Sequence, residues 1–351
     1  MLTEKQIAEI KEHLERAQNP IFYYDNDADG LCSFLILRRF LGRGKGVAIR
    51  SYPDLDARYA RKAQELNADY VFILDKPVIS SAFLDELEKM HLPIVWIDHH
   101  DIESDYFLKY SNAFLFNPAK NSGKDKSSEP VTYIAYKLTE RKEDLWIGLI
   151  GCIADHYIPD FADEFASRYP DFWAKDLKKP FDVYFKAEIG RIAQALNFGL
   201  KDSVTHIVQL QNFLIECKGP NEVFLEIDTN RNFRAKYNEV RKKYDALLER
   251  AKKEVGERLI FFDYSGTLSI SADLSNELSY LYPGKYVVVA YRNNSITNIS
   301  LRGKKIREIL ARIIGKFEGA SGGGHEEAVG ARIKTADLER FKKSLEEEIL
   351  R

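Results

Sequence analysis

Ile21-Phe22-Tyr23-Tyr24-Asp25-Asn26-Asp27-Ala28-Asp29-Gly30 is the stretch on which the reading of the fold turns. Four apolar and aromatic residues run straight into three aspartates within five positions. The apolar run is too short for a helix and reads as a buried strand. The aspartates end it, and a helix is predicted over 31–41, opened by a tight turn at Gly30. The alternation then repeats, with strands at 46–52, 70–74 and 93–97 and helices at 57–66 and 80–90. Strands alternating with helices predict an α/β fold, a mostly parallel sheet with helices on both faces. Such a sheet holds its ligand just beyond the carboxyl ends of its strands.

Those ends carry acidic residues. The first strand ends in Asp25, Asp27 and Asp29, the third in Asp75, and the fourth in Asp98-His99-His100, while Asp155 stands in a later helical stretch. Three carboxylates so close together repel one another, and a divalent cation would remove the repulsion. Carboxylate oxygen with imidazole nitrogen suits Mn²⁺, and less specifically Mg²⁺, Co²⁺ or Zn²⁺. Taken alone, the first cluster reads equally well as a solvated turn capping a helix. A calcium loop of the EF-hand type is excluded, because the apolar helix leaves no twelve-residue loop and no closing glutamate. Asp75 alone would be a cap and Asp155 a polar helix residue. Asp98-His99-His100 is harder to read as a surface turn, and all four clusters fall where a parallel sheet would bring them together.

The chain has 351 residues, 45% hydrophobic and 30% charged, with a formal net charge of -2. The length suits about two domains, and the apolar content suffices for real cores. Near-neutral charge argues against holding long duplex nucleic acid by net charge, though not against a local basic groove. Cys32, Cys152 and Cys217 form no CxxC pair, which argues against a cysteine zinc site and suits a reducing, cytoplasmic setting. Residues 1–18 read as a charged amphipathic helix, not a signal peptide, and no run is apolar enough to span a membrane. The expected domains are 1–229, a long exposed connecting helix at 230–257, and a smaller α/β domain at 258–351. Within the first, 117–130 reads as a polar loop. Within the last, strands at 259–263, 286–291 and 297–301 and a helix at 304–314 precede a glycine-rich loop.

These residues resemble, in order, the DHH phosphoesterases, whose name-giving motif stands here as Asp98-His99-His100. Ser321-Gly322-Gly323-Gly324-His325, followed by Ala328-Val329-Gly330, is similar to the glycine-rich motif of the associated DHHA1 domain. Ile299-Ser300-Leu301-Arg302 resembles that domain's S-x-R strand. The resemblance spans about 22–332. The D-x-D-x-D-G form of the first motif is that of the RecJ-like exonucleases, and the length is closer to the compact archaeal RecJ-like proteins than to bacterial RecJ. The family's pyrophosphatases and its short-oligonucleotide and pAp phosphatases carry histidine where Tyr23 stands. Two other departures are Lys76-Pro77 after Asp75, in place of a small residue or glycine, and Glu326 in place of proline.

The resemblance implies a hydrolase holding two Mn²⁺ ions, with Mg²⁺ or Co²⁺ as alternatives. Asp75 would bridge them, Asp27 with Asp25 as helper would hold the first, and Asp29, His99 and Asp155 the second. Asp98 would orient His99, and His100 would face the scissile phosphate as donor or general acid. Ser300, Arg302, Gly322, Gly323, Gly324 and His325 would hold the substrate. The implied activity is a single-strand exonuclease releasing mononucleotides from DNA or RNA, with replication or repair proteins as partners and no membrane. A phosphatase for pAp, linear dinucleotides or very short oligonucleotides, and a Cdc45-like replication scaffold, are the alternatives. Arg231, Arg234, Lys236, Arg241, Lys242 and Lys243, and later Lys304, Lys305, Arg307 and Arg312, read either as solvated helix faces or as a wall tracking phosphates. His13, His91 and His206 read as structural or exposed, and His156 as pointing away from Asp155.

Overall fold

The structure, a computed structural model, describes residues 1–51, 55–102, 105–121, 129–174 and 176–350. Position 52 of the expected second strand and 122–128 of the expected polar loop lie outside these. The chain divides into two compact units, Met1–Tyr237 and Asn238–Arg351.

The first unit runs α1 (Glu4–Arg16), β1 (Pro20–Asp25), α2 (Ala28–Leu41), β2 (Lys45–Ile49), α3 (Ala60–Glu65), β3 (Tyr70–Leu74), α4 (Ser81–Lys89), β4 (Ile94–Ile97) and β5 (Ala113–Phe116). Six helices follow: α5 (Val131–Thr139), α6 (Leu145–Ala154), α7 (Ala162–Arg168), α8 (Pro180–Lys186), α9 (Glu188–Gly199) and α10 (Val204–Glu216). The strands pair in parallel, in the order β2-β1-β3-β4-β5. Because side chains alternate along a strand, each buried strand feeds two cores. Phe22, Tyr24, Phe72, Leu74, Val95 and Ile97 pack in one cluster with Leu35, Ile134, Ile150 and Ile192 of the helices. Ile21, Tyr23, Val71, Ile73, Ile94 and Trp96 pack on the other face with Ala63, Phe83 and Leu87 of α3 and α4. Such continuous apolar runs are what a parallel sheet covered on both faces requires.

Several boundaries differ from the sequence reading, each for a local reason. The helix predicted from 31 begins at Ala28, because Asp27 is its N-cap and accepts the Gly30 N–H at 2.9 Å. Gly30 therefore does not open the helix. It permits a close approach, since a Cβ there would stand 2.4 Å from the Asp25 carbonyl oxygen. The stretch at 57–66 divides into a 3₁₀ turn, Ala57–Tyr59, and α3. Strand β5 was not anticipated. It is four residues long and half-buried at the sheet edge, so it carries little pattern.

α11 (Arg231–Ala251) leads from the first unit into the second. It is not exposed all round as expected: Phe233, Val240, Tyr244, Leu248 and Ala251 are buried along one stripe. The second unit continues with β6 (Leu259–Ser265), α12 (Ser271–Leu281), β7 (Tyr286–Asn293), β8 (Ile296–Arg302), α13 (Ile306–Ile314), β9 (Ser321–Gly324), β10 (Ala328–Lys334) and α14 (Leu338–Leu350). Its sheet order is β6-β7-β8-β10-β9, with β6 and β7 parallel and the other pairs antiparallel. Ile299 and Leu301 pack against Leu310 of α13 and Phe341 and Leu345 of α14, and Ser300, between them in sequence, faces Ser271 of α12. The predicted glycine loop is instead the edge strand β9. Gly324, at φ 140°, lets the turn into β10 close, since a Cβ there would lie 2.6 Å from the Ala328 carbonyl oxygen. Among the described residues no helix is long and apolar enough to cross a membrane.

The Gly30 contact yields a test of how α2 is seated. Its neighbour is backbone and cannot swing aside, so Gly30→Ala is expected to lose roughly 1–3 kcal/mol, the usual cost of overpacking. Urea denaturation measures it, and an unchanged midpoint would show that the β1–α2 approach is not tight.

Candidate metal centre

β1, β3 and β4 are neighbours in the sheet, so their carboxyl ends deliver Asp25, Asp75 and Asp98-His99-His100 to one place. Asp27 and Asp29 enter with the first turn of α2, and Asp155 is the C-cap of α6. The two oxygens of Asp29 accept the N–H groups of Val131 and Thr132 at 2.9 and 2.8 Å, so the N-terminus of α5 orients this carboxylate. Asp75 adopts a left-handed backbone conformation, φ 59°, which a non-glycine residue holds only when its surroundings insist. Its amide donates to the Ile97 carbonyl at 3.0 Å.

Asp75 Oδ1 is buried and accepts no hydrogen bond. It lies 3.4 Å from His99 Nε2 and 3.8 Å from His100 Nδ1, while Asp155 Oδ2 lies 3.8 Å from His99 Nε2. Two sets of donor atoms gather within 4.8 Å: Asp75, His99 and His100, and Asp29, His99 and Asp155. Among the described residues Asp25 and Asp27 stand in neither set. Asp25 Oδ1 accepts instead from Lys76 Nζ at 3.0 Å. Asp98 Oδ1 accepts the His100 N–H at 2.6 Å and lies 3.2 Å from His100 Nδ1. The resemblance implied that Asp98 orients His99. The chain after β4 instead turns so that this carboxylate reaches the residue two positions on, as aspartate does in an Asx-turn.

The electrostatics call for a cation. Burial, and then the charges of Asp25 and Asp29, raise the Asp27 carboxyl to about 7. Burial and the neighbouring Asp29 and Asp27 raise Asp75 and Asp155 as well. Burial by itself would lower His100, but its bond to Asp98 and the charges of Asp98, Asp155 and Asp27 carry it to about 9. A buried oxygen without a partner, among carboxylates and imidazoles, fits a divalent ion of the Mn²⁺ or Mg²⁺ kind.

Other residues fall elsewhere. Tyr23 is core, its hydroxyl donating to the Tyr59 carbonyl at 2.7 Å. His13 Nδ1 meets Tyr70 Oη at 2.6 Å, His206 Nδ1 meets Asp202 at 2.9 Å, and the His156 ring stacks on Phe181 at 4.0 Å. Arg241 and Lys243 pair with Asp245 and Glu239, as solvated faces do, while Arg312 pairs with the buried Glu348. In the second unit Ser300 Oγ lies 3.0 Å from Ser271 Oγ, and Arg302 Nε donates to Asn276 at 2.6 Å. Burial lowers the Arg302 guanidinium to about 10, and among the described residues it forms no ion pair. Gly322, Gly323 and Gly324 are exposed along β9, and the His325 N–H closes the following turn on the Ala328 carbonyl at 2.9 Å.

The sequence reading missed Thr132, Asn117 and a groove. Thr132 Oγ1 donates to the Asp29 carbonyl at 2.8 Å, and Asn117 Nδ2 to that of His100 at 2.9 Å. The groove, about 860 Å³, follows β2, with Arg38, Lys45, Arg50 and Lys62 beside Val47 and Val208. Its walls come from α2, β2, the 3₁₀ turn, α3 and α10, so no local pattern marks it. Lys76 alone had a signal, as a departure from the resembled motif.

The chain matches the model of the DHH family, N-terminal domain, over residues 21–160 and that of the DHHA1 domain over 241–350. It belongs to the DHH/DHHA1 superfamily, and its fold is the RecJ-like one. RecJ from Thermus thermophilus, in complex with Mn²⁺, is similar at a TM-score of 0.69 and 18% identity, covering 99% of this chain and 54% of that one. This chain thus spans about half the length of that protein. An exonuclease RecJ bound to manganese is similar at a TM-score of 0.59 and 18% identity, covering 100% of this chain and 95% of that one. CDC45 from Entamoeba histolytica follows at 0.52 and 12%, covering 99% of each chain. At these identities the likeness is one of fold. No curated protein matches the chain in sequence.

The raised carboxyls fix the sign of a stability test. Asp27 goes from 3.8 to about 7 and His100 from 6.5 to about 9, so the folded state holds these protons more tightly than the unfolded chain. The stability they contribute is present at low pH and lost as pH rises, through about 7 for Asp27 and about 9 for His100. The melting temperature of the metal-free protein is expected to fall between about pH 5 and pH 8. Mn²⁺ is expected to raise it more at the higher pH, because the ion replaces protons. Equal stabilisation at both would count against a carboxylate-held ion.

Proposed function

We propose that this protein is a metal-dependent phosphodiesterase that shortens single-stranded DNA or RNA from an end, releasing mononucleotides. The observation that carries the reading is Asp75 Oδ1, buried and without a hydrogen bond among the donor atoms of His99 and His100. Asp75, His99, Asp155 and Asp29 would hold a divalent cation, with Asp27 close by. Such an ion, Mn²⁺ for preference, supplies a bound water acidic enough to ionise near neutral pH and a counter-charge for phosphoryl oxygens. The residues of the chain do the rest. Asp98 keeps His100 protonated and turned, so that its ring can donate to a phosphoryl or leaving oxygen. In the second unit, Arg302 is a half-buried cation near the charge of Asp273 but in no ion pair among the described residues, which suits bidentate pairing with a phosphate. Ser300 and the exposed backbone of Gly322, Gly323 and Gly324, with His325, offer further donors.

Two features favour a polymer over a very small substrate. The groove along β2 sets Arg38, Lys45 and Arg50 beside the aromatic rings of Phe34 and Tyr59, the combination of charge and stacking faces that holds single strands. The position where the small-substrate branch carries histidine is filled by Tyr23, whose hydroxyl is engaged in the core.

End-labelled single strands of several lengths, pAp and a linear dinucleotide, each with Mn²⁺ and with EDTA, decide between the branches. Progressive shortening of the long strands is expected. Cleavage confined to pAp and the dinucleotide would move the protein to the small-substrate branch. His99→Ala with His100→Ala is expected to abolish hydrolysis while the circular dichroism spectrum is unchanged, and full activity would sink the site. Arg302→Ala is expected to weaken strand binding roughly 10- to 100-fold, the worth of a charged hydrogen bond, as read from KM.

A further inference from the structure

Lys76 is buried, 3% exposed, beside the most acidic part of the fold. Its Nζ donates to Asp25 Oδ1 at 3.0 Å and to the Ser51 carbonyl at 3.3 Å, and its own carbonyl accepts Trp96 Nε1 at 3.0 Å. Both ends of the residue are therefore fixed, and its ammonium ties together the ends of β1, β2 and β3. A buried ammonium is costly unless it is paired and hydrogen-bonded, and here one carboxylate and one carbonyl meet it. Asp25, so engaged, stands in neither set of donor atoms that could receive an ion. Those two sets share His99, whose Nε2 faces both Asp75 and Asp155. One imidazole nitrogen has one lone pair and serves one ion at a time.

We propose that the Lys76 ammonium stands in for a cation on the Asp25 side of the centre, so that the centre holds one divalent ion tightly where the neighbouring aspartates would otherwise draw two. The proposal rests on the metal-centre reading above and deepens it. Asp25 is neutralised by a charge that belongs to the chain, and a second dication near it meets the repulsion of the fixed ammonium. The ion that does bind would be held through Asp75, Asp29, Asp155 and His99.

Titration of the metal-stripped full chain with MnCl₂ by calorimetry, with equilibrium dialysis for stoichiometry, tests this without reference to activity. Wild type is expected to bind one Mn²⁺ per chain tightly. Lys76→Met, which keeps the length and removes the charge, is expected to bind a second ion or to bind Mn²⁺ at least about tenfold tighter, a change of about 1.4 kcal/mol. Asp25→Asn is expected to match wild type in stoichiometry, and Lys76→Met with Asp25→Asn to lose the gain. Two ions of like affinity in wild type, loss of an ion in Asp25→Asn, or no change in a folded Lys76→Met would each overturn the role of Lys76 and leave the metal centre standing. No Mn²⁺ bound to wild type would remove the metal centre itself. If Lys76→Met does not fold, the Asp25→Asn titration and the wild-type stoichiometry still decide.

Discussion

Repulsion among buried carboxylates is the constraint that organises this protein. A parallel sheet lines up the carboxyl ends of its strands, and here β1 ends in aspartate and β3 and β4 are each followed directly by one. Burial first, and then the charges of the neighbouring aspartates, raise Asp27, Asp75 and Asp155, so such a cluster left bare opposes folding. Each aspartate has its own local answer to the problem. Asp27 caps α2, Asp29 sits on the amides that open α5, Asp25 pairs with Lys76, and Asp98 grips His100. Among the described residues Asp75 Oδ1, like Asp98 Oδ2, accepts no hydrogen bond, and its place within 3.8 Å of both imidazoles singles it out for an ion.

The packing around the cluster shows how much the fold concedes to it. Asp75 holds a left-handed backbone that a non-glycine residue avoids, and Gly30 brings α2 against the Asp25 carbonyl more closely than any side chain would allow. Both features sit at strand ends whose bodies are fully buried, with Phe72 and Ile73 in the two separate cores. Burial of apolar surface on both faces of the sheet offsets the local strain, as happens where functional sites store it.

Much of this was legible in the sequence, and the legible parts share a physical cause. Runs such as Tyr70–Leu74 and Ile94–Ile97 are too short and too apolar to be anything but buried strands, so the sheet and its acidic ends followed from pattern. The candidate site residues were visible because aspartate and histidine clusters at strand ends are unusual locally. What escaped had no local signature. β5 is a half-buried edge, α11 hides its buried stripe under dense charge, and the hairpin of β9 and β10 reads as a loop because glycines carry no pattern. The pairing of Asp98 with His100 rather than His99 depends on a backbone turn, and the partnership of Lys76 with Asp25 joins residues 51 positions apart.

The second unit presents the opposite electrostatic problem. Its half-buried Arg302 donates to the neutral Asn276 and feels the charge of Asp273, but among the described residues no carboxylate pairs with it. A half-buried guanidinium with no paired carboxylate suits an anion, as the buried carboxylates of the first unit suit a cation. One chain therefore offers a demand for a divalent cation in one unit and a demand for an anion in the other. In the proposed activity a phosphodiester would meet either demand, since its oxygens can bind a metal or pair with a guanidinium. The proposed activity draws on both charge imbalances, one in each unit, more than on any one residue.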